Sequence, residues 1–299
     1  MNRIATLPFH HGLERSMQRT QGRLSESMDR MASGRAVNSY TELASNAPRL
    51  LSAHASEARE QAYRESLQNV RTSLSLYDQR LGELAEIGTG LRQAMLAAIG
   101  TGQTQGFQTQ LETAYAQFSS ALNSREGGRY LFGGGNETEA PLHPATLSGL
   151  TAGSGFGSGP VRAGAPVADG EVMDYGIGAQ EAGEELLAMF ETLAAAGPYG
   201  ATITDAQRIA MASAVDQAAN GLADVATLNA ANGRRQVRVD MLEQRSDARS
   251  LVLGDLISRH EDANMAELAA DIASQRAMLE ASYTVFRQVS QLSLVQFLR

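Results

Sequence analysis

The two ends of this sequence carry apolar stripes that only neighbouring helices can cover. From Glu261 to Arg299 the chain contains neither Gly nor Pro. Its larger apolar residues recur mainly in steps of three, four or seven, at Met265, Leu268, Ile272, Leu279, Phe286, Val289, Leu292 and Val295. This spacing keeps one side of an α-helix apolar and is typical of a coiled-coil seam. We therefore predict a C-terminal helix over residues 261–299, with Gln275 and Ser282 as polar interruptions of its stripe.

A second stripe lies near the N-terminus. It keeps the same rhythm until Ser33 and Gly34 break it, and its members are Leu13, Met17, Thr20, Leu24, Met28 and Met31. The two stripes can therefore pair within one chain. At 1.5 Å rise per residue the C-terminal helix would be roughly 55–60 Å long, too long and narrow to bury its own apolar surface. It must pack against other helices.

Two arrangements meet this requirement: an antiparallel bundle inside a monomer, or a seam shared with neighbouring copies. Chain ends usually fray, yet here apolar residues continue to Leu298, which favours ordering by neighbouring copies. The predicted assembly-interface residues are Leu13, Met17, Leu24, Met28, Met31, Leu268, Ile272, Leu279, Phe286, Val289, Leu292 and Val295.

The interior of the chain predicts further helices on both sides of a different middle segment. A long helix is predicted over about 50–98, and its heptad pattern consists of Leu67, Val70, Leu74, Tyr77, Leu81, Leu84, Leu91, Met95 and Ala98, with Gly88 as a weak position. Another is predicted over 107–122. Beyond the middle segment, helices are predicted over 179–196 and 206–259, the latter with a break near Asn232 and Gly233.

The middle segment, residues 133–178, is rich in Gly, Ser, Pro and Thr, which favours short strands and turns over helix. The predicted fold class is therefore mainly α, a long helical coiled-coil or bundle rod formed by both termini with a small mid-chain β-rich insertion domain. The predicted segments are an N-terminal core helix, an N-terminal arm, the insertion, a C-terminal arm and a C-terminal core helix, at 1–40, 41–132, 133–178, 179–260 and 261–299.

Composition argues against several function classes. The chain has no Cys, so thiol nucleophiles, thiolate metal sites and disulfides are absent. A net charge of −8, with no basic cluster, makes nucleic-acid binding a poor hypothesis. No apolar run approaches the ~20 residues of a membrane helix. Residues 1–12 lack the apolar core and cleavage site of a signal peptide, so any export is expected to use another route.

Candidate catalytic and metal sites are weak. The adjacent His10 and His11 lack the i, i+4 spacing of helical zinc ligands. The alternating glycines of 153–159 lack the strand, helix and Lys of a phosphate loop, and Glu184 and Glu185 fit a solvated acidic face. We predict no enzyme, no cofactor and no metal site.

The densest basic spot is Arg234, Arg235 and Arg238. These side chains could contact nucleic acid or acidic lipid, but we predict that they pair with Asp240 and Glu243 on the same helix surface.

Several segments resemble the flagellin family. Arg30–Ser39 (RMASGRAVNS) is similar to its N-terminal pattern, and Ala231–Arg235 resembles the start of its C-terminal arm. Gly128–Gly134 (GRYLFGG) resembles the segment that closes the N-terminal arm in the family's hook-filament junction members. With the terminal helix from Met265, the resemblance covers roughly residues 1–134 and 180–299.

The resemblance implies a non-enzymatic structural subunit of the bacterial flagellum that joins hook to filament. It implies export without a cleaved signal peptide through the type III channel, an extracellular location, and a chaperone on the C-terminal helix. The implied partners are other copies and neighbouring hook-associated and filament subunits. Filament flagellin is the alternative within the family. A soluble coiled-coil binding or signalling module is the alternative outside it.

Overall fold

The computed structural model describes residues 3–36, 47–134, 139–150, 155–157 and 162–297. It is 77% helical, which confirms the mainly α prediction. Its helices are α1 Arg3–Ser33, α2 Ala47–Thr101, α3 Phe107–Leu122, α4 Ala179–Ala196, α5 Asp205–Glu261 and α6 Met265–Phe297. Two antiparallel hairpins are formed by β1 Arg125–Glu126 with β2 Arg129–Tyr130, and by β3 Gly164–Ala168 with β4 Glu171–Asp174.

The chain divides into two compact units. The terminal unit comprises Met1–Arg59 and Arg249–Arg299, and the central unit comprises Glu60–Ala248. Helices α2 and α5 contribute residues to both units. No helix within the described ranges is both long enough and apolar enough to cross a membrane.

The predicted heptad stripe of α2 contributes to two clusters of buried residues in the central unit. Its nine members, Leu67, Val70, Leu74, Tyr77, Leu81, Leu84, Leu91, Met95 and Ala98, are each at most 4% exposed. Gly88 lies where the side chains of Leu222 and Leu186 approach the helix, since a Cβ on it would lie 3.1 Å and 3.2 Å from their methyl carbons. The glycine that weakens the heptad therefore makes room for two leucines.

An aromatic cluster joins α3 to α4. Phe190 of α4 contacts both Tyr115 and Phe118 of α3, with ring centroids 5.2 Å and 5.1 Å apart. Tyr199 continues the cluster with an edge contact to Phe107 at 4.9 Å. Aromatic side chains bury large apolar areas, so these contacts hold the short helices against the longer ones.

Helix α5 runs unbroken from Asp205 to Glu261, so the predicted break near Asn232 and Gly233 is wrong. Asn232 is fully buried, and its Nδ2 donates a hydrogen bond of 2.8 Å to the backbone carbonyl of Leu74 on α2. A helix-interior glycine costs about 1 kcal/mol relative to alanine. The packing of buried neighbours such as Val239 offsets that cost.

In the terminal unit, the first turns of α2 meet the last turns of α5. Leu50 and Ala53 are buried there. His54 Nε2 lies 2.8 Å from Glu261 Oε1, which links the two helices through a polar contact.

Candidate assembly interface

Helices α1 and α6 pack against each other antiparallel within the terminal unit. Gln275 Nε2 donates to Ser27 Oγ at 3.4 Å, and Gln21 Nε2 donates to Tyr283 Oη at 2.7 Å. Later residues of α1 therefore contact earlier residues of α6, as in any antiparallel pair. The two terminal stripes do pair within one chain, as their spacing allows.

A short extended pairing sets this geometry. Gly34 ends α1 with a φ of 72°, in the left-handed region that glycine adopts readily. Ala36 N then donates to Glu261 O at 2.7 Å, and Ala263 N donates to Gly34 O at 2.9 Å. The backbone N–H of Ala266 donates to Asn264 Oδ1 at 3.2 Å, as expected for a helix cap. Helix α6 therefore begins later than the predicted residue 261, since 262–264 form this connection.

Burial along the α1–α6 seam is uneven. Ile272 and Leu279 are only 8% and 7% exposed. Leu13, Met17, Leu24, Leu268 and Phe286 are half-buried, whereas Met28 and Met31 are each 37% exposed. The side chains of Val289, Leu292 and Val295 lie outside the described residues. The pair thus covers the middle of its seam and leaves apolar surface at the sides.

We predicted that Met28 lies in the seam, but its neighbour Ser27 is the buried residue there. Continuing the four-three rhythm from Leu24 leads to Ser27, but the sequence prediction preferred the apolar neighbour. On α6 the same rhythm is kept, and Gln275 occupies the matching polar position. Of the two predicted polar interruptions, Gln275 therefore makes a specific contact between the helices.

Further apolar side chains on this helix pair face outward. They are Met28, Met31, Met265, Met278, Tyr283 and Val285. Large exposed apolar patches on soluble proteins commonly mark interaction sites. The helix pair can therefore offer a second apolar surface to neighbouring molecules while its own seam stays closed.

The GRYLFGG segment contributes the second strand of a tight hairpin in the central unit. Gly127 and Gly128 adopt φ of 56° and 88° in the two-residue turn between β1 and β2, as a primed turn requires. Phe132 is fully buried with its ring 5.3 Å from that of Tyr77. Tyr77 Oη donates to Leu131 O at 2.6 Å. The segment therefore holds the part of the chain that follows α3 against α2.

The predicted pairing of the basic spot on α5 is wrong. Asp240 and Glu243 both pair with Arg71 of α2, at 2.5 Å for Glu243. Arg238 instead pairs with Glu171 of β4 at 2.5 Å. Spacing along one helix shows which charges can meet, but neighbouring elements here present closer partners.

The described histidines do not form a metal site. Within the described ranges, no group of three or more His, Asp or Glu side chains is placed to hold a metal ion. His11 is exposed, and its Nδ1 lies 3.5 Å from Glu14. The side chain of His10, together with Gly153 and Gly159, lies outside the described residues, as does Val37–Asn46 with the end of the N-terminal pattern.

The fold of this chain is similar to that of flagellar hook-associated proteins of known structure. A Vibrio parahaemolyticus protein assigned to that group superposes with a TM-score of 0.62 at 19% identity, covering 71% of this chain and 96% of that one. The FlgL proteins of Bacillus cereus and Xanthomonas campestris each superpose with a TM-score of 0.57. They are 14% and 12% identical to this chain, and in both cases cover 69% of it and 99% of themselves. No family model and no curated protein matches the sequence.

Proposed function

We propose that this chain is a structural subunit of the bacterial flagellum, the hook-filament junction protein also called hook-associated protein 3. The observation that carries the proposal is the fold. It matches nearly the whole of three solved hook-associated structures. The GRYLFGG segment adds support, because it resembles a segment of the family's hook-filament junction members. In this chain it follows α3 and packs against α2.

The terminal helices are the proposed means of assembly. Their stripes leave apolar side chains uncovered, and burial against neighbouring copies at about 25 cal/mol per Å² would favour polymerisation. The twelve predicted interface residues keep this role as a proposal, from Leu13 to Met31 on α1 and from Leu268 to Val295 on α6. The division into five segments is likewise proposed.

The remaining parts of the proposal follow from the family resemblance. The subunit would be exported without a cleaved signal peptide and would act outside the cell. A chaperone would cover α6 before export, and hook-associated and filament subunits would be its neighbours. It would carry out no enzymatic reaction.

Immunogold labelling of intact cells tests the proposal directly. Label confined to the distal end of the hook is expected. Label along the whole filament would identify a filament flagellin instead. Absence from appendages would leave a soluble coiled-coil binding module as the better hypothesis.

A further inference from the structure

The basic spot on α5 lines a cavity of the central unit. The cavity has a volume of about 370 Å³ and lies between α5 and strand β4. Its lining consists of Val172, Met173, Asp174, Ala231, Arg234, Arg235 and Arg238. Three guanidinium groups thus meet one carboxylate across a space that admits a small solute or a side chain.

Arg235 is the unusual member of this lining. Its Nη1 is buried, and within the described part of the chain no acceptor reaches it. A buried charged donor without an acceptor is costly, because the hydration it loses is not replaced. Burial and the nearby charges of Arg162 and Arg234 lower the pKa of Arg235, and Glu181 offsets this in part.

Neighbouring carboxylates are already engaged. Glu181 accepts a bond of 2.8 Å from Arg162, and Glu171 pairs with Arg238 at 2.5 Å. Among the described residues, Arg234 and Arg235 take part in no ion pair, and only Asp174 adds a carboxylate to the lining. Two cations therefore face the cavity without an assigned counter-charge.

We propose that this cavity binds an oxyanion, with Arg235 and Arg234 as its ligands. The guanidinium fork matches the two oxygens of a carboxylate or a phosphate, and each such bond is stronger than a neutral one. An anion would give Arg235 Nη1 its missing acceptor and would screen it from Arg162 and Arg234. The proposal does not depend on the flagellar role.

Thermal unfolding of the full-length chain tests this site. Inorganic phosphate is expected to raise the melting temperature by a few degrees in a saturable way, because it binds only the folded state. Sodium chloride at the same ionic strength is expected to give no saturable rise. Equal effects of the two salts would overturn the proposal.

Two variants localise the effect. Arg235→Gln is expected to abolish the phosphate-dependent shift. Without phosphate the variant should be as stable as wild type or more so, since a half-buried guanidinium whose Nη1 has no acceptor is removed. Arg245→Gln removes the same charge from an exposed position of α5 and is expected to keep the shift. Loss of the shift in both variants would mean general charge screening and would contradict the site. Should Arg235→Gln fail to fold, Arg234→Gln is expected to weaken phosphate binding at least tenfold, and unchanged binding there would contradict the site.

The source of the oxyanion is tested with a second probe. A short acetylated peptide containing one Glu and no other charge is titrated beside phosphate. Tighter binding of the peptide would show that the site takes an acidic side chain of a protein partner. Tighter binding of phosphate would show that the site takes a free anion. Saturable binding of neither probe would overturn the proposal.

Discussion

Gln275 of α6 donates a hydrogen bond to Ser27 of α1 in the middle of a mainly apolar seam. The bond is long, at 3.4 Å, and within the described residues the Oε1 of Gln275 is buried without a partner. A single buried polar position in a coiled coil typically specifies register at a cost in stability. Here its apolar neighbours in the seam are two leucines and one isoleucine, Leu24 on α1 and Ile272 and Leu279 on α6.

Replacing this polar position should therefore stabilise the pair. Gln275→Leu is expected to lower the amide hydrogen-exchange rates of α1 by roughly fivefold or more, since about 1 kcal/mol of unsatisfied polar burial is removed. Exchange followed by mass spectrometry measures this. Faster exchange in α1 would show that the amide contributes net stability.

A charge placed in the seam should open it. Leu279→Asp is expected to destabilise the α1–α6 contact by about 2–5 kcal/mol, because a carboxylate would be buried without a partner. Limited proteolysis should then cut residues 11–33 and 265–288 first, while the central unit keeps its melting transition. Loss of that transition would contradict the prediction.

Met278→Asp is the matched control for that experiment. It adds the same charge to the adjacent residue, whose side chain is 58% exposed. It should change the stability of the isolated chain by less than about 0.5 kcal/mol. If it nevertheless blocks polymerisation, the outward apolar surface also takes part in assembly.

A glycine contact in the central core gives a further prediction. A Cβ on Gly221 would lie 2.8 Å from Leu186 Cγ and 3.1 Å from its backbone nitrogen, so Gly221→Ala should destabilise the central unit by about 1–3 kcal/mol. Gly233 lies on the same helix with no atom within 4 Å of such a Cβ. Gly233→Ala should stabilise by about 0.5–1 kcal/mol. Urea unfolding of both variants measures the difference, and equal effects would contradict the contact.

Alkaline pH should unfold the central unit through its buried tyrosines. Burial raises the pKa of Tyr77, Tyr115 and Tyr199 to about 12 each. The unfolded chain ionises near pH 10. Below about pH 10 these phenols are neutral in both states, so stability does not change with pH through them. Between about pH 10 and 12 only the unfolded state loses the protons, so stability falls.

Urea unfolding at several alkaline pH values measures this loss, with ultraviolet absorbance to follow phenolate formation. Tyr199→Phe removes one of the three phenols, with its bond of 3.0 Å to Leu193 O. Its stability should fall less steeply above about pH 10. An unchanged slope would exclude Tyr199 as a contributor.

The helices of the central unit could be predicted well because their burial is periodic. Every heptad residue named for α2 is buried, as are Phe107, Leu111, Tyr115, Phe118 and Leu122 of α3. The charge pairs could not be predicted. Arg71 lies far from Asp240 in sequence, and only the packing of α2 against α5 brings the two together.

The candidate interface shows the same division. Spacing identified Ile272 and Leu279, which are buried, but preferred Met28 to Ser27, because a hydrophobicity pattern ranks side chains by polarity. Ser27 is buried because it faces Gln275 across the seam. The register between two helices determines such a pairing, and neither helix encodes it alone.

The sequence by itself determined where helices form and which face of each is apolar, since both follow from the repeat of side chains along one helix. Only the tertiary structure decided which faces meet. In the folded chain α1 contacts α6 through Ser27 and Gln275, α5 continues without a break past Asn232, and Arg235 lies beside a cavity. An apolar stripe specifies that a face must be covered, but the partner and the register depend on contacts between residues distant in sequence.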